Sequence, residues 1–173
     1  MAKLDENIQK EVEEKRKEVE SDLERFLSML IEALHRNSVN VVVSKNPIDE
    51  ANKFCDDNFG SIENNLDNLH LDFSTKPECV VSHALSVVAD TGVVFFSGTK
   101  LKITSALADH HVAVILKEAI MPDMISAYKL ALIKSGDEEI FASSSASKTA
   151  DIEGKLVWGM RGPRKFTVIL EGG

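Results

Sequence analysis

The chain is poor in several things, and each shortage excludes something. It holds only two cysteines, Cys55 and Cys79, among 173 residues. Far apart in a sequence with no secretory signal, they read as reduced thiols of a cytoplasmic protein, with a disulfide between them as the alternative. No apolar run approaches the ~20 residues of a membrane-spanning helix. The first residues are charged and helical, not a basic segment followed by an apolar one, so no signal peptide and no membrane association are expected. Positive charge is scarce. Twenty Lys and Arg stand against 28 Asp and Glu, for a net charge of −8, whereas general nucleic-acid binding needs a basic footprint. There is no CxxC, no HExxH and no paired Cys/His spacing, so no metal site is expected in this chain. His110 and His111 are adjacent, and neighbours on a strand point to opposite faces. They are poorly placed to share an ion, and the expectation is that one packs and the other faces solvent. GxGxxG and GxxxxGK[ST] are also missing, so neither the dinucleotide-binding nor the P-loop phosphate signature is complete.

What is present describes an α/β protein. The length suits one domain plus an extension, enough to bury a core without a staple. Residues 3–36 repeat apolar positions mostly every three or four residues, from Leu4 to Leu34, which predicts one long helix. Its first half carries a thin stripe among dense Glu, Lys and Arg, and reads as a solvated arm. A dimer contact along that stripe is the alternative. From Leu23 the helix is more apolar and should dock on the body. "VNVVVS" (39–44) is a β-branched run of the kind buried on both faces in a parallel sheet. Residues 46–59 start with Asn46 and Pro47 at cap and first-turn positions and read as a helix. The polar stretch 60–78 reads mostly as loop. "SVVAD" and "VVFFSG" flank Thr91-Gly92 as a tight turn or hairpin. A short helix over 101–109, a buried strand over 110–117, a helix over 121–136, a strand over 138–145 and a last strand over 164–172 complete the series. The predicted fold is a three-layer α/β domain at 37–173 with a mainly parallel, mixed sheet, preceded by the helical arm at 1–36.

Three stretches could carry a site. In "SASKTADIEG" (145–154), serines precede Asp151 and Glu153, which predicts a short helix starting around Ser147 to Thr149. A strand followed by a helix N-terminus is the usual ligand corner of an open α/β sheet, and free amides there attract anions. Lys148 adds a cation. In "GMRGPRK" (159–165), Gly159 and Gly162 permit unusual backbone conformations, while Arg161 and Arg164 offer bidentate donors for carboxylate or phosphate. Over 145–173 there are five cations and three anions, against the acidic trend of the chain. The plain alternatives are an ordinary capped turn and a β-turn with surface arginines. In "ADTGVVFFSG", Thr91, Gly92, Ser97 and Gly98 either line a pocket or simply turn the chain. The ligand-binding candidates are therefore Thr91, Gly92, Ser97, Gly98, Ser145, Ser147, Lys148, Thr149, Arg161, Gly162 and Arg164. Asp151 and Glu153 are the candidates for a general base or nucleophile.

These stretches, in this order, resemble the LUD-domain family of lactate-utilisation proteins, LutC/YkgG type. "ADTGVVFFSG" is similar to its A-[ED]-T-G-T turn and strand, with Val93 in place of the usual Thr. His111 matches a His that precedes the next strand. "SASKTADIEG" followed by "GMRGPRK" resembles the C-terminal hallmark S-x-[ST]-[RK]-T-A-D-I-E-G and G-x-[HR]-G-P-R. The likeness runs from about Val39 to Leu170, and the loop around 99–110 lacks the family's prolines. The resemblance implies a fold like that of the ribose-5-phosphate isomerase, glucosamine-6-phosphate deaminase and CoA-transferase group. It also implies an accessory or substrate-binding subunit of a lactate-to-pyruvate system, with iron–sulfur clusters in partner subunits and none in this chain. The alternative is a stand-alone enzyme on a phosphosugar, nucleotide or acyl-CoA, and whether this chain is itself an enzyme is left open.

Overall fold

The computed structural model describes residues 2–55, 78–150, 156–158 and 162–172. In chain order the elements begin with helices α1 (Ala2–Ser21) and α2 (Leu23–Arg36), strand β1 (Asn40–Ser44) and helix α3 (Pro47–Asn52). Strands β2 (Cys79–His83), β3 (Ser86–Val88) and β4 (Val94–Ser97) precede helix α4 (Thr99–Leu107). Then come β5 (His110–Ile115), β6 (Ile120–Met121), α5 (Met124–Ser135) and β7 (Ile140–Ser143). The last strands are β8 (Lys148–Ala150), β9 (Leu156–Trp158) and β10 (Lys165–Glu171).

β1, β10, β5 and β2 form one sheet in that spatial order, every pair parallel. The strands expected at 110–117 and 164–172 supply the two central strands, β5 and β10. Alternation sorts their side chains. Ala113, Ile115, Phe166, Val168 and Leu170 face a core shared with Phe26, Leu30 and Leu34 of α2. Val112, Val114 and Ile169 face the other way, onto Ala51 of α3. β1 differs from expectation. It lies at the sheet edge, so it is covered incompletely, and Val43 is 56% exposed.

A second sheet, ordered β6-β3-β4-β7, is mixed. The predicted hairpin is β3–β4, antiparallel, and it turns at Gly92 with φ +68°. Phe96 of β4 points into the shared core between the two sheets. Val88, Phe95 and Met121 face Val12 of α1 and Ala127, Leu130 and Ala131 of α5. Helices thus flank the sheets in a three-layer α/β fold.

Two expectations are corrected here. The N-terminal helix breaks at Asp22, and its charged half is not a solvated arm. Val12 and Val19 are 4% and 2% exposed, and Glu11 pairs with Lys129 on α5. The thin stripe is sufficient because α5 and the second sheet receive it. Cys55 and Cys79 are not separate thiols either. They form a disulfide with Cα atoms 5.5 Å apart, within the usual range. Packing α3 onto the parallel sheet brings its trailing end to the first residue of β2. No helix among the described residues is long and apolar enough to cross a membrane.

Candidate functional site

Because β1, β10 and β5 run parallel, their first residues meet at one end of the sheet. Asn40 pairs in register with Thr167, and Lys165 with His110. These residues line an open cleft of about 650 Å³ with Ser38, Lys53, Phe54, Ala146, Arg164 and Phe166. Three cations converge there in a chain of net charge −8. Lys53 bonds Glu50 at 2.6 Å, and Arg164 Nε lies 3.7 Å from Asp109 Oδ1.

His110 is the polar centre of the floor. Its Nε2 is 2.8 Å from Thr167 Oγ1, which also accepts from Asn40 Nδ2 at 3.4 Å. Phe54 meets the ring edge-on, centroids 5.9 Å apart. Burial holds the imidazole below its ordinary value, and the nearby Lys165 charge adds to the effect. His110 is therefore a neutral hydrogen-bonding group at pH 7 among fixed positive charges. That combination suits a small anion, with the cations supplying attraction and the imidazole, hydroxyl and amide supplying orientation.

The two hallmark stretches do come together. Ser147 N donates to Pro163 O at 2.8 Å. A Cβ on Gly162 would lie 3.1 Å from Ser147 Cβ, so only glycine allows this approach without displacement. Ala146 and Arg164 then reach the same cleft. The conformation of the first stretch, however, is corrected. No helix starts at 147–149: Lys148–Ala150 is β8, antiparallel to β9, with Lys148 opposite Trp158. The Ser147 amide is taken by Pro163, and β-branched Thr149 continues extended opposite Val157. The expected helix terminus is thus absent, and the positive charge at the cleft is carried by side chains. Lys148 is exposed, and Ser145 Oγ donates to Ala146 O at 3.1 Å. Asp151, Glu153 and Arg161 lie outside the described residues.

The third stretch lies elsewhere. Asn37 Nδ2 donates to Thr91 O at 2.7 Å, Arg36 Nη2 donates to Asp90 O at 2.7 Å, and Gly92 packs on Leu34. This turn docks the end of α2, one residue before the cleft residue Ser38. Ser97 and Gly98 lead into α4, where Gly98 has φ +103° and donates its amide to Glu139 O. None of these four residues lines the cleft.

The histidine pair splits as strand geometry requires, but neither ring simply faces water. His111 is 1% exposed between Phe96 and Phe166, centroids 5.1 and 5.2 Å away. Its Nε2 is 2.6 Å from Ser82 Oγ, itself buried. Burial pushes His111 down to about 3, with His110 contributing. This resembles a nucleophile–base pair in distance, yet it is sealed in the core and reads as a satisfied structural pair. Sequence reasoning missed Asn40, Lys53, Phe54, His110, Lys165 and Thr167. The available signal was that first residues of parallel strands share one edge. Among the described residues, no group of three His, Cys, Asp or Glu side chains is arranged to hold a metal.

The model of the LUD domain matches residues 2–170. This chain belongs to the LUD-domain family. The match takes in α1 as well as the region where the motifs lie, and it places the chain in a lactate-utilisation-related family. The fold is similar to that in the crystal structure of a DUF162 family protein from Deinococcus radiodurans. That structure is 12% identical, with a TM-score of 0.59, and the similarity covers 86% of this chain and 97% of that one. No curated protein matches the chain.

Proposed function

We propose that this LUD-domain protein is an accessory or substrate-binding subunit of an iron–sulfur lactate-oxidising system, and that its cleft holds the small carboxylate. The supporting observation is the convergence of Lys53, Arg164 and Lys165 around neutral His110 in an otherwise acidic molecule. Arg164 and Lys165 attract the carboxylate, and the Asn40–Thr167–His110 chain offers the polar contacts that orient it. Electrons leaving lactate pass through clusters on partner chains in this reading. This chain binds and presents the acid.

One feature favours a second reading. A cleft of about 650 Å³ is of the size that holds drug-sized ligands, larger than a three-carbon acid. A phosphosugar, a nucleotide or the phosphate end of an acyl-CoA would fill more of it, with Asp151 or Glu153 as base or nucleophile of a stand-alone enzyme. A thermal-shift screen separates the two. Stabilisation by lactate and pyruvate supports the subunit reading. Stabilisation by sugar phosphates or CoA esters alone replaces it with the second. Recovery of iron–sulfur proteins with the tagged chain from its native host is the complementary measurement, and their absence counts against the subunit reading.

A further inference from the structure

The Cys55–Cys79 disulfide lies beside the cleft. Cys79 opens β2 and is the register partner of His110, whose amide donates to Glu78 O at 3.0 Å. On the other side, Cys55 directly follows Lys53 and Phe54, which form one wall. Phe54 is the residue whose ring meets His110 edge-on. α3 is six residues long and buries only Pro47 and Ala51. So short a helix does not hold its own shape. The covalent tie to β2 therefore supplements a small packing contact in keeping Phe54 against His110 and Lys53 at the cleft.

We propose that Cys55 and Cys79 form a thiol–disulfide switch that fixes or releases the Lys53–Phe54 wall of the cleft. Reduction breaks the Sγ–Sγ bond and adds two electrons and two protons, giving two thiols. The donor is a low-molecular-weight thiol, two molecules of which join as its disulfide. Cys55 and Cys79 are 5% and 8% exposed, so attack on the bond requires the wall to open. The switch sets a standing state of the protein and does not cycle with each ligand. Its consequence for anion binding rests on the function proposed above, whereas release of the wall does not.

The full chain in oxidised and reduced forms provides the test. Mass spectrometry after alkylation establishes each state. The His110 imidazole is followed by NMR and assigned by its loss in His110→Gln. The charged groups around it are Lys53, Arg164 and Lys165, with Asp109 and Glu78 flanking. Of these, Lys53 alone moves with the wall; exposure of the ring and withdrawal of that positive charge act on the imidazole in the same direction. On reduction, water reaches the ring and the His110 midpoint rises toward its ordinary value of 6.5. Inorganic phosphate and pyruvate are titrated into both forms by calorimetry. If the released wall closes a tenth of the time, affinity falls about tenfold. Cys55→Ser/Cys79→Ser behaves as the reduced form under oxidising conditions, and the reduced wild-type chain gives the same readouts if that variant folds poorly. An unchanged His110 midpoint, or failure of the bond to form in the oxidised protein, overturns the switch. A shifted midpoint with no binding of either anion supports the switch and removes the anion reading of the cleft.

Discussion

An imidazole sealed among aromatic rings makes a protein sensitive to acid. In the folded chain His111 titrates at about 3; in the unfolded chain it titrates at ~6.5. Above the unfolded value both states are neutral and the contribution is complete. As pH falls from the unfolded toward the folded value, only the unfolded chain gains the proton. Stability is therefore lost progressively across that window, on the order of several kcal/mol. Removing His111 alone would orphan the Ser82 hydroxyl, so the informative variant is Ser82→Ala/His111→Phe. Denaturant unfolding across the window should show a shallower pH dependence for the double variant than for wild type. The cleft cations act differently. Arg164 is 65% exposed and its pair with Asp109 is loose, so Arg164→Ala should change stability by no more than ~1 kcal/mol. Its loss should weaken anion binding by roughly tenfold in calorimetry. Lys165→Met should raise the His110 midpoint, because the Lys165 charge is one of the causes that lower it.

At the scale of elements, two glycines make contrasting predictions. A side chain at Gly92 meets Leu34 at 3.2 Å and its backbone N at 3.3 Å, in a left-handed conformation. Gly92→Ala should cost about 1–3 kcal/mol in thermal or denaturant unfolding. Gly162 has no such strain, and its neighbour is the Ser147 side chain. Gly162→Ala should instead push the two hallmark stretches apart, lowering anion affinity more than stability. Most elements were legible because β-branched runs and helix caps are local signals. The strand at 148–150 was not. Serines and acids around it report local capping, whereas β8 exists through pairing with 156–158, which neither segment announces alone. The helix α1 was readable but its packing was not, since Val12 and Val19 in a charged field become a core stripe only when α5 arrives. The cleft was half legible. Its arginines and small residues were visible, but Asn40, His110 and Thr167 look like ordinary strand ends until parallel pairing aligns them.

Over the whole molecule, α1 is part of the body. Val12→Ala with Val19→Ala should cost about 2–5 kcal/mol, read from urea unfolding. With those two residues turned inward, a dimer along this helix would have to use its charged side. The order of the first sheet has a further consequence. β10, the last strand of the chain, lies between β1 and β5. A ribosome can have produced residues 1–164 while the two halves of that sheet still lack the strand that joins them. Folding during synthesis must then wait for residues 165–171 to leave the exit tunnel, with the bare flanks of β1 and β5 exposed meanwhile to pairing with other chains. Nascent chains halted before Lys165 should remain protease-sensitive, and chains extended far enough to release Glu171 should become resistant together. The strand that carries Lys165 and Thr167 to the cleft is thus also the one for which the first sheet must wait during synthesis.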